Sequence, residues 1–196
     1  MFSFANSEIQ HAVFAALSGY KMNIQRVDAA RYFILHKFGG VYADLDYEIT
    51  VDNLWDILPP SSVGLVESPF LYNEAVQNSF MSSPPGAGFW NETWAVMEQN
   101  RNLGVLRSTG PGMLTEVIGK LGNDPDRASS YDILPCENFQ RLPFGEYHGS
   151  EFINVLGREI LPRLYPMKYC GDIKRTDNCH YGKHHGSASW TSEAIV

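Results

Sequence analysis

Asp44 and Asp46 stand two residues apart in the stretch Gly39-Gly40-Val41-Tyr42-Ala43-Asp44-Leu45-Asp46. In an extended chain, residues i and i+2 point to the same face. The spacing therefore predicts two carboxylates projecting together from a strand end, with Val41, Ala43 and Leu45 on the other face. Two carboxylates so close repel each other unless a cation sits between them. Hard divalent ions such as Mg²⁺ and Mn²⁺ take oxygen ligands, often one or two carboxylates together with substrate phosphates. The chemistry expected of this pair is a metal–diphosphate site.

Other side chains are candidates for the same site. Asp28 and Arg31 lie at i and i+3 of a helical pattern and so share a face. They read either as an ordinary intrahelical ion pair or as the polar wall of a cleft, accepting and donating hydrogen bonds to sugar hydroxyls or phosphate. His184 and His185 are adjacent, so on an extended segment they point opposite ways and at most one readily joins a given site. One imidazole beside two aspartates completes a mixed nitrogen–oxygen set suited to Mn²⁺. Lys183, Ser187, Ser189 and the Trp190 indole N–H are donors for a diphosphate, and Trp190 reads equally well as core. Thr109-Gly110-Pro111 is a small turn ahead of a helix, either a plain loop or a pocket wall. Asn78 offers an amide near a strand end.

The elements that must position these groups follow from periodicity. Helices are predicted over residues 7–18, with a stripe of Ile9, Val13, Ala16 and Leu17, and over 24–38. In the second, Val27, Ala30, Ile34, Leu35 and Phe38 recur at helical spacing and Asn23 serves as cap. Gly39 and Gly40 stop this helix and lead into a strand over 41–45. Further strands are expected at 63–66, 78–82 and 131–134, and helices at 89–98 and 113–121. Residues 135–182 are rich in Pro, Gly and aromatics, with little periodicity. Helices alternating with short apolar strands imply an α/β sandwich with a mostly parallel central sheet, and ligands gather beyond the carboxyl ends of such strands.

At 196 residues the chain is read as one domain, residues 1–196, with room for a sizeable core. A net charge of −7 without a Lys/Arg run argues against a nucleic-acid surface, though not against one local basic pocket for phosphate. No apolar stretch has the length to span a bilayer, and no signal peptide is apparent at the N-terminus. Cys136, Cys170 and Cys179 do not make a disulfide framework; a Cys170–Cys179 pair and three free thiols are both open. The compartment is left open.

The block Ile24-Gln25-Arg26-Val27-Asp28-Ala29-Ala30-Arg31-Tyr32, then Leu35 and Gly39 to Asp46, resembles the signature of DXD-containing glycosyltransferases of family 32. Asn78-Ser79-Phe80-Met81, Thr109-Gly110-Pro111 and His184-His185…Ser189-Trp190 match in order. The resemblance implies a Rossmann-type GT-A fold, a UDP- or GDP-hexose donor, a Mn²⁺ or Mg²⁺ cofactor, a glycan or lipid acceptor, and transfer with retention of anomeric configuration. It implies that Asp28 and Arg31 hold the donor sugar, with Tyr42, Asn78 and Gly110 lining the donor pocket. Asp44 would contact ribose and metal, and Asp46 would ligate the metal with His184 or His185. Ser189 and Trp190 would cover the leaving diphosphate. Such a protein would work in the Golgi lumen or on a membrane if eukaryotic, in the cytoplasm if bacterial. Family members carry a base-binding strand ahead of the point where this chain starts, so roughly forty residues are expected to be missing at the N-terminus. Two other readings remain: an Asp-x-Asp phosphohydrolase with Asp44 as nucleophile and Asp172 as distal acid, and a non-catalytic sugar-binding domain.

Overall fold

The computed structural model describes residues 18–68, 75–139 and 181–184. The predicted helix over 7–18 and the first strand implied by the resemblance lie outside them. So do Asp172, His185, Ser189 and Trp190.

Helix α1 (Asn23–Phe38) opens the described chain. Asn23 is its first residue rather than its cap: the Gln25 carboxamide reaches back to accept from the Met22 N–H at 3.1 Å. Gly39 closes it, donating its N–H to the Leu35 carbonyl at 2.8 Å with φ of 65°. A side chain is disfavoured here twice, by the left-handed backbone and by the Ser83 carbonyl 2.8 Å from where a Cβ would sit. The chain then reverses into β1 (Gly40–Ala43) and passes through a turn into β2 (Tyr47–Ile49). Next come β3 (Val63–Glu67), β4 (Val76–Ser83), α2 (Phe89–Gln99), α3 (Val105–Ser108), α4 (Pro111–Gly122), β5 (Tyr131–Leu134), α5 (Cys136–Phe139) and β6 (Gly182–His184).

The main sheet has the order β1-β4-β3-β5. β4 pairs antiparallel with both β1 and β3, while β3 and β5 pair parallel. Three strands therefore run one way and β4 alone opposes them. The largely parallel sheet expected from the sequence is found in strand direction, although only the β3–β5 pairing is parallel. The link from β3 to β4 spans only residues 68–75, too short for the crossover that a parallel neighbour needs.

Side chains alternate across this sheet. Val63, Leu65 and Met81 join Tyr32, Leu35, Trp90, Met113, Leu114 and Val117 in a core beneath α1, α2 and α4. Val66 and Phe80 face the other way, into a smaller core with Leu54, Leu58, Leu134 and Phe139. Trp90 stacks on Tyr32, centroids 5.6 Å apart, and its indole N–H donates to Ser83 Oγ at 2.9 Å, fixing α1 against the sheet.

Three sequence expectations are corrected. The apolar stripe on α1 is not its buried face: Val27, Ile34 and Phe38 are exposed, and only Leu35 of that set is fully buried. The inward face carries Gln25, Asp28, Ala29, Arg31, Tyr32 and Leu35 instead. The strand predicted over 41–45 ends at Ala43, because the Tyr47 N–H bonds back to the Asp44 carbonyl at 3.0 Å and closes a turn. Leu45 consequently projects fully into solvent rather than into a core. Cys136 is disulfide-bonded to a cysteine outside the described residues, a pairing its sequence position did not suggest.

Candidate functional site

The site forms where α1 crosses the carboxyl end of β1. Asp28 and Arg31, one helical turn apart, point inward, and the Arg31 guanidinium bridges two carboxylates. Its Nη2 lies 3.1 Å from Asp28 Oδ1 and its Nη1 lies 3.0 Å from Asp44 Oδ1. Nη1 also donates to the Asn78 backbone carbonyl at 2.9 Å. The Tyr42 ring supports the guanidinium from below, 4.5 Å from centroid to Cζ, and its hydroxyl donates to Asp44 Oδ1 at 2.7 Å. Asp44 is further pinned through its backbone N–H, which donates to the Ser79 carbonyl at 2.8 Å. One oxygen of Asp44 is thus taken by two donors, and among the described residues Oδ2 is left for a ligand.

Asp28 is 3 % exposed and Arg31 5 %. Three donors converge on Asp28: Arg31 and the Asn78 amide (3.0 Å) on Oδ1, and the Thr109 hydroxyl (3.1 Å) on Oδ2. Burial pushes the Asp28 carboxyl up to about 7, against the pull of Arg31 and of the hydrogen bonds from Thr109 and Asn78. Burial works against the Arg31 charge too, but Asp28 and Asp44 outweigh it and hold the guanidinium above its ordinary value. Burial likewise raises the Tyr42 phenol, and its hydrogen bond to Asp44 adds to the rise. Tyr42 therefore serves Asp44 as a neutral donor.

Tyr32 completes the network. Its hydroxyl donates to the Thr109 carbonyl at 2.6 Å and accepts from the Asn78 amide at 3.1 Å. Two turns earlier on the same face, the Gln25 amide donates to Ser108 Oγ at 2.7 Å. Apart from the Arg31 Nε–H, the inward polar stripe of α1 is thereby met by β4, by Asp44 and by the residues leading into α4.

Of the residues singled out by sequence, the structure brings Asp28, Arg31, Tyr42, Asp44 and Asn78 into one cluster. Gly110 lies beside it as the residue preceding α4, but the contact to the cluster is made by its neighbour Thr109. Asp46 sits in the turn two residues beyond Asp44. The β6 strand pairs with β2 in a register that sets His184 opposite Tyr47, next to that turn. Thr109 belongs to the Thr109-Gly110-Pro111 turn that the sequence offered as a pocket wall, whereas Tyr32 was missed as a site residue. Tyr32 is four positions after Asp28, and helical spacing alone puts the two on one face.

Among the described residues, no group of three or more His, Cys, Asp or Glu is assembled as a metal cage. The residues present nonetheless suit a hard divalent cation. Asp44 keeps a free oxygen while its other oxygen is fixed, and Asp46 and the strand carrying His184 adjoin it.

A family match covers α1 and the Asp44–Asp46 turn. Residues 2–63 match the family described as glycosyltransferase sugar-binding region containing DXD motif. A 27-residue stretch is 70% identical to inositol phosphoceramide mannosyltransferase 1 of Schizosaccharomyces pombe (strain 972 / ATCC 24843). It is 63% identical to inositol phosphoceramide mannosyltransferase 3 of the same organism. The stretch spans 14% of this chain and 8% of each relative. A solved structure, PaToxG glycosyltransferase, superposes with a TM-score of 0.45 at 18% identity, over 57% of this chain and 40% of that one.

Proposed function

We propose, from the premise that residues 2–63 are a glycosyltransferase sugar-binding region with its DXD motif, that this chain takes part in metal-dependent hexose transfer. The donor is a nucleoside-diphosphate sugar and the acceptor a glycan or lipid hydroxyl, with retention at the anomeric carbon. The observation that carries the reading is the buried Asp28–Arg31–Asp44 chain. It spends a desolvated guanidinium on holding a partly exposed carboxylate in one orientation at a strand end.

Asp44 and Asp46 would hold a divalent cation, with His184 as the third ligand. When bound, that cation supplies charge stabilisation for the departing diphosphate. The chain's own residues do the rest. Arg31 holds positive charge close to where negative charge grows, and its Nε–H is buried without a partner among the described residues, a donor kept for a ligand oxygen. Tyr42 and Arg31 together fix Asp44, so no reorganisation is needed as charge develops. Asp28, saturated by three donors, positions Arg31 rather than reaching for the sugar itself. Asn78 and Thr109 hold Asp28 in turn. No side-chain nucleophile is required when the acceptor hydroxyl attacks from the face that the diphosphate leaves and gives its proton to it.

The test is a donor-hydrolysis and transfer screen with UDP-galactose, UDP-glucose and GDP-mannose, with and without Mn²⁺. Turnover is expected with one of them, dependent on Mn²⁺ and abolished in Asp46→Ala at unchanged thermal stability. Full activity in that variant, or phosphate release from simple phosphomonoesters in place of sugar transfer, refutes the reading.

A further inference from the structure

The amino end of β1 holds a second concavity, which the site above does not use. A half-open cleft of about 180 Å³ is lined by Trp55, Leu58, Pro59, Pro60, Ser82 and Pro84, with Gly40 at its edge. Three features set it apart from a packing defect. Trp55 is 69 % exposed and stacks on no ring among the described residues. Ser82 is 3 % exposed, yet its Oγ has no hydrogen-bond partner among the described residues. A native structure rarely leaves such a hydroxyl unpaired unless something completes it. Finally, β3 carries Gly64 opposite Ser82. A Cβ there would collide with Ser82 Oγ and lie 3.2 Å from both Pro59 Cδ and Leu134 Cδ1, so only glycine leaves the Ser82 hydroxyl its place beside the Pro59 ring.

We propose that this cleft is a subsite for one neutral sugar ring of an oligosaccharide. Among the described residues no charged side chain lines it, which disfavours a free phosphate or carboxylate as occupant. The electron-rich face of an exposed indole attracts the positive C–H edge of a sugar ring. Ser82 Oγ meets a ring hydroxyl as donor or acceptor. A cavity of about 150 Å³ encloses one benzene ring, so this one takes a single six-membered ring. A polyproline helix is the competing occupant, but it docks on grooves walled by several aromatics, and this cleft has one. Gly40 and Asp44 are four residues apart on an extended strand, about 13 Å. Calling the occupant an acceptor glycan, held at one ring while another reaches the Asp44 end, rests on the proposed transferase reading; the binding itself does not.

The experiment is calorimetric titration of the 196-residue chain, without nucleotide, using maltotriose, mannotriose, cellotriose and decaproline. At least one trisaccharide is expected to bind. Trp55→Ala, an exposed position, weakens it about tenfold, the loss of one stacking contact. Ser82→Ala weakens it severalfold, and Asp46→Asn leaves it unchanged. The proposal is overturned if the folded wild-type chain binds no trisaccharide, if Trp55→Ala binds as tightly, if Asp46→Asn abolishes binding, or if decaproline binds instead. Failure of the transferase reading appears separately, as absent donor turnover with saccharide binding intact.

Discussion

Helices α1 and α4 pack on the same face of one sheet and do opposite things with it. α4 turns Met113, Leu114, Val117 and Leu121 inward, all buried, and keeps its ion pair, Lys120 with Glu116, at the surface. α1 turns Asp28 and Arg31 inward and leaves Val27, Ile34 and Phe38 outside. By hydrophobic burial alone α1 is oriented the wrong way round. What holds it so is the set of partners waiting for its polar face: Asp44, the Asn78 amide and carbonyl, Thr109 and Ser108. α4 contributes stability and α1 gives some up to build a charged site.

Substitutions separate the two roles. Arg31→Met leaves Asp28 and Asp44 without their shared cation. Breaking a buried pair in this way costs about 3–5 kcal/mol, so chemical denaturation should show that loss, and donor turnover per folded molecule should vanish as well. Leu114→Ala should cost about 2–5 kcal/mol, from lost burial and the cavity left behind. Here turnover per folded molecule should stay at the wild-type level; a parallel loss would mean that α4 also shapes the site.

The third test uses pH. The Asp28 carboxyl titrates near 7 in the folded protein against an ordinary value of 3.8. Between those values the folded state binds more protons than the unfolded one, so stability falls as pH rises through this window. One such group contributes at most about 1.4 kcal/mol per pH unit. Asp28→Asn should flatten that slope between pH 4 and 7 in urea titrations, and an unchanged slope would place the carboxylate's proton elsewhere. The smallest effect is expected from Lys120→Ala. Its partner is one turn away on the exposed face of α4, and such i,i+4 pairs contribute a few tenths of a kcal/mol. Thermal melts should scarcely register it.

The same contrast explains what could be read before any coordinates. Strand 63–66 and the helices over 89–98 and 113–121 were legible because their apolar residues are the ones they bury; strand 131–134 was found although Ile133 is exposed and only Leu134 is buried. The stop at Gly39 was legible because only glycine suits the backbone there. α1 was found as a helix but assigned the wrong inward face, since periodicity counts apolar residues and this helix buries polar ones. Asp28, Arg31, Asp44 and Asn78 were found through motif spacing. Thr109 was legible as part of the Thr109-Gly110-Pro111 turn, whereas Tyr32 escaped because its hydroxyl acquires its role only from the distant Thr109 carbonyl and Asn78 amide. The turn after Ala43 escaped because alternation was extended two residues past the last ladder hydrogen bond.

The β2–β6 ribbon has a consequence for how the molecule is made. It joins segments about 140 positions apart in the chain, so its closure is among the slow, entropically demanding events of folding. During synthesis the aspartate turn emerges long before its partner strand does. The proposed cradle for a cation is therefore finished only once the β6 segment, about 140 residues later, has left the ribosome, and until then the acidic turn lacks its partner strand.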